Sequence, residues 1–145
     1  RRDAIEPVLA ELRARLRQAD MRVEVKVADD VIVAADVNLL RIVYQNLLTN
    51  AVKFGRPGGE IVLGAERGDG RVVLSVRNEG RGIPSERMDA MFRKFAHYDG
   101  DTEAAKSGSG LGLFIIKQII AQHGGEVWVE SKEGEYACFK FTLLA

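Results

Sequence analysis

The chain has 145 residues, of which 46% are apolar and 29% charged, a composition typical of one soluble globular domain with a real core. Lysines and arginines number 21, as do aspartates and glutamates, and this balance argues against a nucleic-acid binder held by its overall field. The single cysteine, Cys138, excludes an internal disulfide and fits a reducing compartment such as the cytoplasm.

Neither a membrane span nor a signal peptide is predicted from the sequence. No apolar run is long enough to cross a bilayer, and no signal-peptide pattern opens the chain. Because the chain begins at Arg1 without a methionine, we expect it to be a piece of a longer protein. Any membrane segments of that protein would lie outside this piece.

The first part of the chain predicts one helix and two strands. Apolar residues recur at helical spacing over 1–19, and Pro7 favours a helix that begins there, since proline is tolerated in a first turn. Residues 21–27 alternate between apolar and polar like a strand. Residues 29–36 predict a short second strand after a turn.

A long helix and a hairpin are predicted next. Asp36 suits the N-cap of a helix that runs through about Phe54, and the glycines and proline of 55–59 end it. The strand-like segments 60–67 and 71–77 are joined by Gly-Asp-Gly, which is a hairpin signal.

The second half of the chain alternates helices and loops before two final strands. Cys138 lies in an alternating run and is expected to be a small core residue. The order of elements favours an α+β fold, a two-layer α/β sandwich in which a mixed sheet carries its helices on one face. The predicted elements are a loop over 78–84, a short helix over 85–95, a long loop over 96–110, a helix over about 111–123, and strands over 126–131 and 136–143.

A polar stripe runs along the helix predicted to end near Phe54. Asn46, Asn50 and Lys53 share one face of it, beside the apolar stripe. Asparagine is a mediocre helix former, so two in a helix interior require a reason. The stripe is either a solvated face or a polar wall over a cleft, where two amide oxygens hold Mg²⁺ and the ammonium meets phosphate.

Two glycine-rich segments offer bare backbone at the ends of elements. Gly80 and Gly82 follow a predicted strand that ends at Asn78, and they would let the backbone approach a flat ligand. Residues 106–113, KSGSGLGL, lead into an apolar helix whose first N–H groups are free to meet phosphate oxygens. Either segment alone is more often an ordinary turn or loop.

These motifs together, in this order, resemble the ATP-binding catalytic domain of sensor histidine kinases, in the superfamily shared with gyrase, Hsp90 and MutL. The resemblance covers essentially the whole chain, 1–145, and implies a single domain of the Bergerat fold with a mobile ATP lid. The matching segments are NLLTNAVKF as the N box, NEGRGIP as the first glycine box, MFRKF as the phenylalanine box, GSGLGL as the second glycine box, and HGGEVWVES as the strand that follows.

The resemblance implies roles for the helix residues. Asn46 and Asn50 would contact Mg²⁺ and phosphate, Lys53 would meet phosphate, and Phe54 would border the nucleotide. In the hydrolysing branches of the superfamily a glutamate stands at the position of Asn46 and activates water. An amide cannot take a proton at neutral pH, so we expect poor ATP hydrolysis and catalysis by positioning and charge neutralisation.

The resemblance also implies an adenine pocket and a phosphate-binding lid. Asn78 stands where the family usually has an aspartate that accepts a hydrogen bond from the adenine amino group, and Gly80 and Gly82 would line the pocket. The glycines of the second box would hinge the lid and donate backbone N–H groups to phosphate. Nucleotide contacts are further implied for Ile83, Lys94, His97, Gly108, Gly110, Leu111 and Gly112.

Two departures from the family pattern leave questions open. Asn78 can still accept from adenine and its NH₂ can donate to a ring nitrogen or water, but a neutral bond is weaker by about 1 kcal/mol, and purine selectivity is left open. Many relatives carry an aromatic residue and an arginine just after the phenylalanine box. His97 stands there instead, and either a protonated His97 or one of Arg93, Lys94 and Lys106 would reach the phosphates.

The resemblance implies a protein histidine kinase of two-component signalling with Mg·ATP as its nucleotide. Neither His97 nor His123 has the sequence context of a phosphoacceptor, so the partner would be a dimerisation and phosphoacceptor domain outside the chain, with a response regulator served indirectly. We expect a cytoplasmic domain, monomeric in isolation, with no nucleic-acid partner. Two alternatives stay open: a degenerate regulatory module without kinase activity, and a hydrolysing ATPase.

Overall fold

The computed structural model describes residues 2–27, 31, 33–80, 82 and 112–144. The predicted short helix over 85–95 and the loop over 96–110 lie outside them. No helix in the described ranges is long and apolar enough to cross a membrane. The elements are α1 (Arg2–Gln18), β1 (Arg22–Lys26), α2 (Val37–Phe54), β2 (Glu60–Arg67), β3 (Arg71–Glu79), α3 (Gly112–Gln122), β4 (Val127–Lys132) and β5 (Tyr136–Leu144).

The five strands form one mixed sheet in the order β1-β2-β3-β5-β4. Strand β1 pairs with β2 in parallel, and the other three pairings are antiparallel. Helix α2 packs against α1, α3 and β3, and α3 packs against β4 and β5. The predicted α+β fold with a mixed sheet is therefore confirmed, as is the predicted hairpin between β2 and β3.

The core lies between the helices and the face of the sheet that they cover. The Tyr44 ring of α2 packs edge-on against Phe141 of β5, with 5.6 Å between the ring centroids. Leu74 of β3 stands opposite Phe141 in the sheet, and all three side chains are fully buried. Burying a large apolar side chain stabilises the fold by about 1.5–3 kcal/mol, so these contacts fix α2 above the centre of the sheet.

The expected start of the first helix at Pro7 was wrong. Helix α1 begins at Arg2 and contains Pro7. Near the start of a helix a proline removes only one intrahelical hydrogen bond. Ala4 and Ile5, which precede it, are fully buried in the core, and this burial favours the longer helix.

The expected strand over 29–36 is absent from the described residues 31 and 33–36. Val31 is buried in the core, and the backbone N–H of Ala34 donates a hydrogen bond of 2.8 Å to the carbonyl of Leu144. Val33 and Ala35 pack against the core, so the apolar residues of this segment are explained by packing rather than by a strand, because one backbone bond at the end of β5 does not make a ladder.

The prediction for α2 is confirmed at both ends. The Asp36 side chain accepts hydrogen bonds from the backbone N–H groups of Asn38 and Leu39, at 2.8 and 3.1 Å, and Gly55 is the C-cap. Cys138 is buried, as expected, but its cross-strand neighbours Arg77 and Glu130 belong to the sheet face that points away from Phe139 and Phe141. Burial raises the pKa of its thiol.

Candidate functional site

Helix α3 runs antiparallel to α2 and covers only the first part of it. Gly112, at the start of α3, lies beside Asn46, since a Cβ atom on Gly112 would be 3.1 Å from Asn46 Oδ1. At the other end, His123 accepts a hydrogen bond from the backbone N–H of Asp36. The last two turns of α2, which carry Asn50 and Lys53, therefore extend beyond the described start of α3.

The amide of Asn46 has a fixed orientation. Its Nδ2 donates a hydrogen bond of 2.9 Å to the carbonyl of Ile42, one turn earlier in α2. Because this bond occupies the donor end, the acceptor Oδ1 is the end that faces Gly112. Amide oxygens are hard ligands of the kind that Mg²⁺ accepts, and a side chain at position 112 would press on this one.

Asn50 and Lys53 continue the stripe of Asn46, and both are half-buried. Burial lowers the pKa of Lys53, and the guanidinium of Arg15, on α1, lowers it further. No carboxylate pairs with Lys53 among the described residues. Because burial and the positive charge of Arg15 both disfavour the ammonium of Lys53, an anion at this end of α2 would stabilise it.

Asn78 has a buried polar side chain, with only 3% of its surface exposed. It stands on the helix-facing side of β3, opposite Ile61 of β2 and Ala137 of β5. Its Nδ2 atom is buried and has no hydrogen-bond partner among the described residues. Leaving a buried donor unpaired costs about 1–3 kcal/mol, so a ligand that brings an acceptor to Nδ2 would recover this free energy.

The end of α2 is tied to the end of β3, next to Asn78. Gly55, the C-cap of α2, forms a β-bridge with Gly80, and the backbone N–H of Arg56 donates a hydrogen bond of 2.7 Å to the carbonyl of Glu79. Asn78 therefore lies under the last turn of α2, on the side that faces the helix. The buried amide and the last turn of α2, which carries Lys53, therefore lie at the same end of the sheet.

Gly82 occupies a position that no other residue fits well. Its φ of +68° is in the left-handed region, and a Cβ atom there would come within 2.5 Å of the carbonyl oxygen of Lys132 and 2.9 Å of Ser131 Oγ. The backbone N–H of Gly80 also donates a hydrogen bond to the carbonyl of Glu135. Gly80 and Gly82 therefore both lie against the turn between β4 and β5.

The chain matches a known protein family. Residues 35–145 match the sequence model of the histidine kinase-, DNA gyrase B-, and HSP90-like ATPases. The chain belongs to this family. The adaptive-response sensory kinase SasA of Crocosphaera subtropica is 41% identical over 112 residues, which are 77% of this chain and 29% of that protein. The chain spans about a third of the length of the curated relatives it matches.

The chain is also similar in structure to solved histidine kinases. The catalytic domain of histidine kinase ThkA superposes with a TM-score of 0.82 at 29% identity, over 97% of this chain and 90% of that one. Full-length ShkA in complex with AMPPNP gives the same TM-score and identity, over 97% of this chain and 29% of that one. ThkA is also known in complex with the response regulator protein TrrA.

Several residues that the sequence assigned to a nucleotide site lie outside the described residues. The structure brings Asn46 to Gly112 and sets Asn78 and Gly80 at the end of α2. The Phe54 backbone ends α2, but its ring lies outside the described part. Contacts of the following residues stay predictions: Ile83, Arg93, Lys94, His97, Lys106, Gly108, Gly110 and Leu111.

The polar groups of this domain fit a magnesium ion carried by a nucleotide better than a metal held by carboxylates. Within the described ranges no group of three or more His, Cys, Asp or Glu side chains is placed to hold a metal. Asn46 Oδ1 faces the start of α3 with its donor end already bonded. Mg²⁺ usually keeps waters and substrate phosphates as ligands, so one or two amide oxygens are a suitable protein share.

Sequence reasoning missed two residues that organise this domain. His123 links α3 to the N-cap of α2, and Arg15 lies close enough to Lys53 to lower its pKa. A histidine before two glycines at a helix end is a signal for capping of the last carbonyls. It does not name Asp36 as the second partner, because that contact depends on how α2 and α3 pack.

Proposed function

We propose that this domain binds Mg·ATP and transfers the γ-phosphate to a histidine of a dimerisation and phosphoacceptor domain, in two-component signalling. The observation that carries the proposal is the buried, unpaired amide of Asn78 under the end of the helix that holds Asn46 and Asn50. If the edge of a purine base binds at Asn78, the phosphates of the same nucleotide would extend toward the amide side chains of α2. The family described above and the AMPPNP complex of ShkA support a nucleoside triphosphate as the ligand.

The polar stripe of α2 would hold the phosphate end of the nucleotide. Asn46 Oδ1 and the amide of Asn50 would be the protein ligands of Mg²⁺, which when bound bridges phosphate oxygens and neutralises their charge. Lys53 would meet phosphate oxygens directly. An anion beside Lys53 would relieve the effects of burial and of Arg15, both of which lower its pKa.

The same residues would favour transfer over hydrolysis. Asn46 is an amide and cannot accept a proton from water, so the domain supplies position and charge but no general base at that place. The nucleophile would be a histidine of the partner domain. His123 does not suit that role, since Nδ1 contacts the carbonyl of Ile119 at 2.8 Å and Nε2 accepts from Asp36.

The phosphohistidine would then serve a response regulator, a partner class supported by the complex of ThkA with TrrA. We place the reaction in the cytoplasm, where ATP is supplied and where a buried free thiol such as Cys138 stays reduced.

Calorimetry with ATP, with and without Mg²⁺, tests the proposal. We expect saturable binding that tightens with Mg²⁺ and has a Kd below about 1 mM, the upper end of usual substrate affinities. Incubation with γ-labelled ATP and a phosphoacceptor domain should then give an acid-labile label on histidine. No binding at millimolar nucleotide would favour a degenerate regulatory module. Steady phosphate release without any partner would instead favour a hydrolase.

A further inference from the structure

Asn78 differs from a carboxylate in what its buried end offers a base. A carboxylate only accepts hydrogen bonds, whereas a primary amide carries an acceptor and a donor side by side. The donor Nδ2 of Asn78 is buried and unpaired in the described structure. A base that brings only donors would leave it unpaired, so the site favours bases that present an acceptor as well as a donor.

6-Aminopurines and 6-oxopurines both present a donor beside an acceptor, but with the two groups exchanged. Adenine presents its N6–H donor beside the N1 acceptor, and a 6-oxopurine such as guanine or hypoxanthine presents an N1–H donor beside the O6 acceptor. An amide matches either edge, because rotating its plane by about 180° exchanges the oxygen and the NH₂. A carboxylate matches the adenine amino group but places lone pairs against O6.

The side chains next to Asn78 in the sheet do not fix the rotation of its amide, so a bound base would determine it. Its cross-strand neighbours Ile61 and Ala137 have apolar side chains that offer no hydrogen bond to hold one orientation. Asn46 shows the contrast, because its Nδ2 is held by the carbonyl of Ile42 and its orientation is set by the protein. The amide of Asn78 is buried like a recognition group but lacks the partner that would fix which edge it recognises.

We infer that Asn78 makes the base pocket accept 6-oxopurine nucleotides as well as adenine nucleotides, so that the site discriminates weakly at position 6 of the purine. This inference rests on the proposed function, since it concerns the base end of the same nucleotide site. Asn78 is on this view the specificity-determining residue. Replacing its amide by a carboxylate should restore a preference for adenine.

Inosine triphosphate is the sharpest probe, because it differs from ATP at position 6 and at N1 and lacks the extra amino group of guanine. We expect the 145-residue chain to bind Mg·ITP and Mg·ATP with dissociation constants within about 10-fold of each other. Asn78→Asp should raise the ratio of the ITP to the ATP constant by about 10-fold or more, since O6 then faces a buried acceptor. Asn38→Asp, the same change at an exposed asparagine, should leave the ratio unchanged.

Three outcomes separate this inference from the proposed function. ATP binding with ITP excluded by more than about 100-fold in the unmodified chain would overturn the inference and leave the proposed function standing. Failure of both nucleotides to bind would overturn both. Should Asn78→Asp not fold, Asn78→Ala serves in its place: the inference requires an equal loss of affinity for ATP and ITP, and a loss confined to ATP would overturn it.

Discussion

His123 Nε2 lies 3.3 Å from the backbone nitrogen of Asp36, which donates a hydrogen bond to it. His123 Nδ1 is 2.8 Å from the carbonyl oxygen of Ile119, so both ring nitrogens have backbone partners. The imidazole joins the N-cap of α2 to the last turn of α3. The same two helices carry Asn46 and Gly112, which lie beside each other at the opposite end of the interface between α2 and α3.

We therefore predict that His123→Ala loosens the packing of α3 on α2. Loss of two hydrogen bonds should lower the free energy of unfolding by about 1–2 kcal/mol and weaken nucleotide binding. Gln122→Ala, at the exposed neighbouring residue, is the control and should change stability by less than about 0.5 kcal/mol. Urea denaturation measures the difference, and equal effects of the two substitutions would contradict the linking role.

Gly82 is predicted to be intolerant of any side chain. Gly70 has a similar positive φ of +70° but open space around it, whereas a Cβ on Gly82 would collide with the carbonyl of Lys132. Gly70→Ala should cost about 1–2 kcal/mol for the left-handed backbone alone, and Gly82→Ala about 3 kcal/mol or more. Thermal unfolding of both variants checks this. Similar costs would show that the collision is relieved by a shift of the β4–β5 turn.

Local signals predicted the elements that depend on local chemistry. The N-cap Asp36, the break after Phe54 and the Gly-Asp-Gly turn placed α2 and the β2–β3 hairpin correctly, because capping and turn formation involve neighbours in sequence. The start of α1 was predicted wrongly from Pro7, because local rules for proline take no account of long-range packing. The burial of Ala4 and Ile5 is such a long-range effect.

The site was predictable as a set of residue types but not as a set of contacts. Motif order pointed to Asn46, Asn78 and Gly82, whose chemistry can be read from sequence. The unpaired Nδ2 of Asn78 and the closeness of Arg15 to Lys53 could not be, because both depend on packing between distant elements. The place of β5 between β3 and β4 likewise depends on pairing across the whole domain.

Lys53 is predicted to contribute to phosphate binding through its charge. Lys53→Met should weaken Mg·ATP binding by about 10-fold or more, as expected for loss of a charged hydrogen bond. Lys117→Met, at an exposed lysine of α3, is the matched control and should have little effect. Because Arg15 lowers the pKa of Lys53, Arg15→Gln should raise that pKa, which titration by NMR can follow. Equal affinities of the two lysine variants would remove Lys53 from the site.

Asn46 is predicted to act through magnesium rather than through the base. Asn46→Ala should weaken ATP binding in the presence of Mg²⁺ by about 10-fold or more and leave binding in its absence nearly unchanged. Gln45→Ala changes the exposed neighbour in α2, and the hydrogen bond from Thr49 to the carbonyl of residue 45 is retained. Calorimetry at several Mg²⁺ concentrations measures both. A loss that is independent of Mg²⁺ would assign Asn46 to a structural role.

Tyr44 is predicted to make the fold sensitive to alkaline pH. Its hydroxyl is fully buried, without a hydrogen-bond partner in the described structure, and burial raises the pKa well above its ordinary value of 10.0. Well below pH 10 the phenol of Tyr44 is protonated in both the folded and the unfolded chain. As the pH rises further, the unfolded chain releases this proton first, so the fold loses up to about 1.4 kcal/mol per pH unit.

The substitution Tyr44→Phe removes both the unpaired hydroxyl and this titration. At pH 7 it should raise the free energy of unfolding by about 1 kcal/mol, because no buried donor is left unpaired while the contact with Phe141 is kept. Its advantage over the unmodified chain should then grow above pH 10. Tyr136→Phe, at a half-buried tyrosine under Arg77, controls for the loss of a phenol oxygen at pH 7 and should change stability by less than about 0.5 kcal/mol. A destabilised Tyr44→Phe variant would mean that the hydroxyl is satisfied in solution, and its buried site would then contain an ordered water.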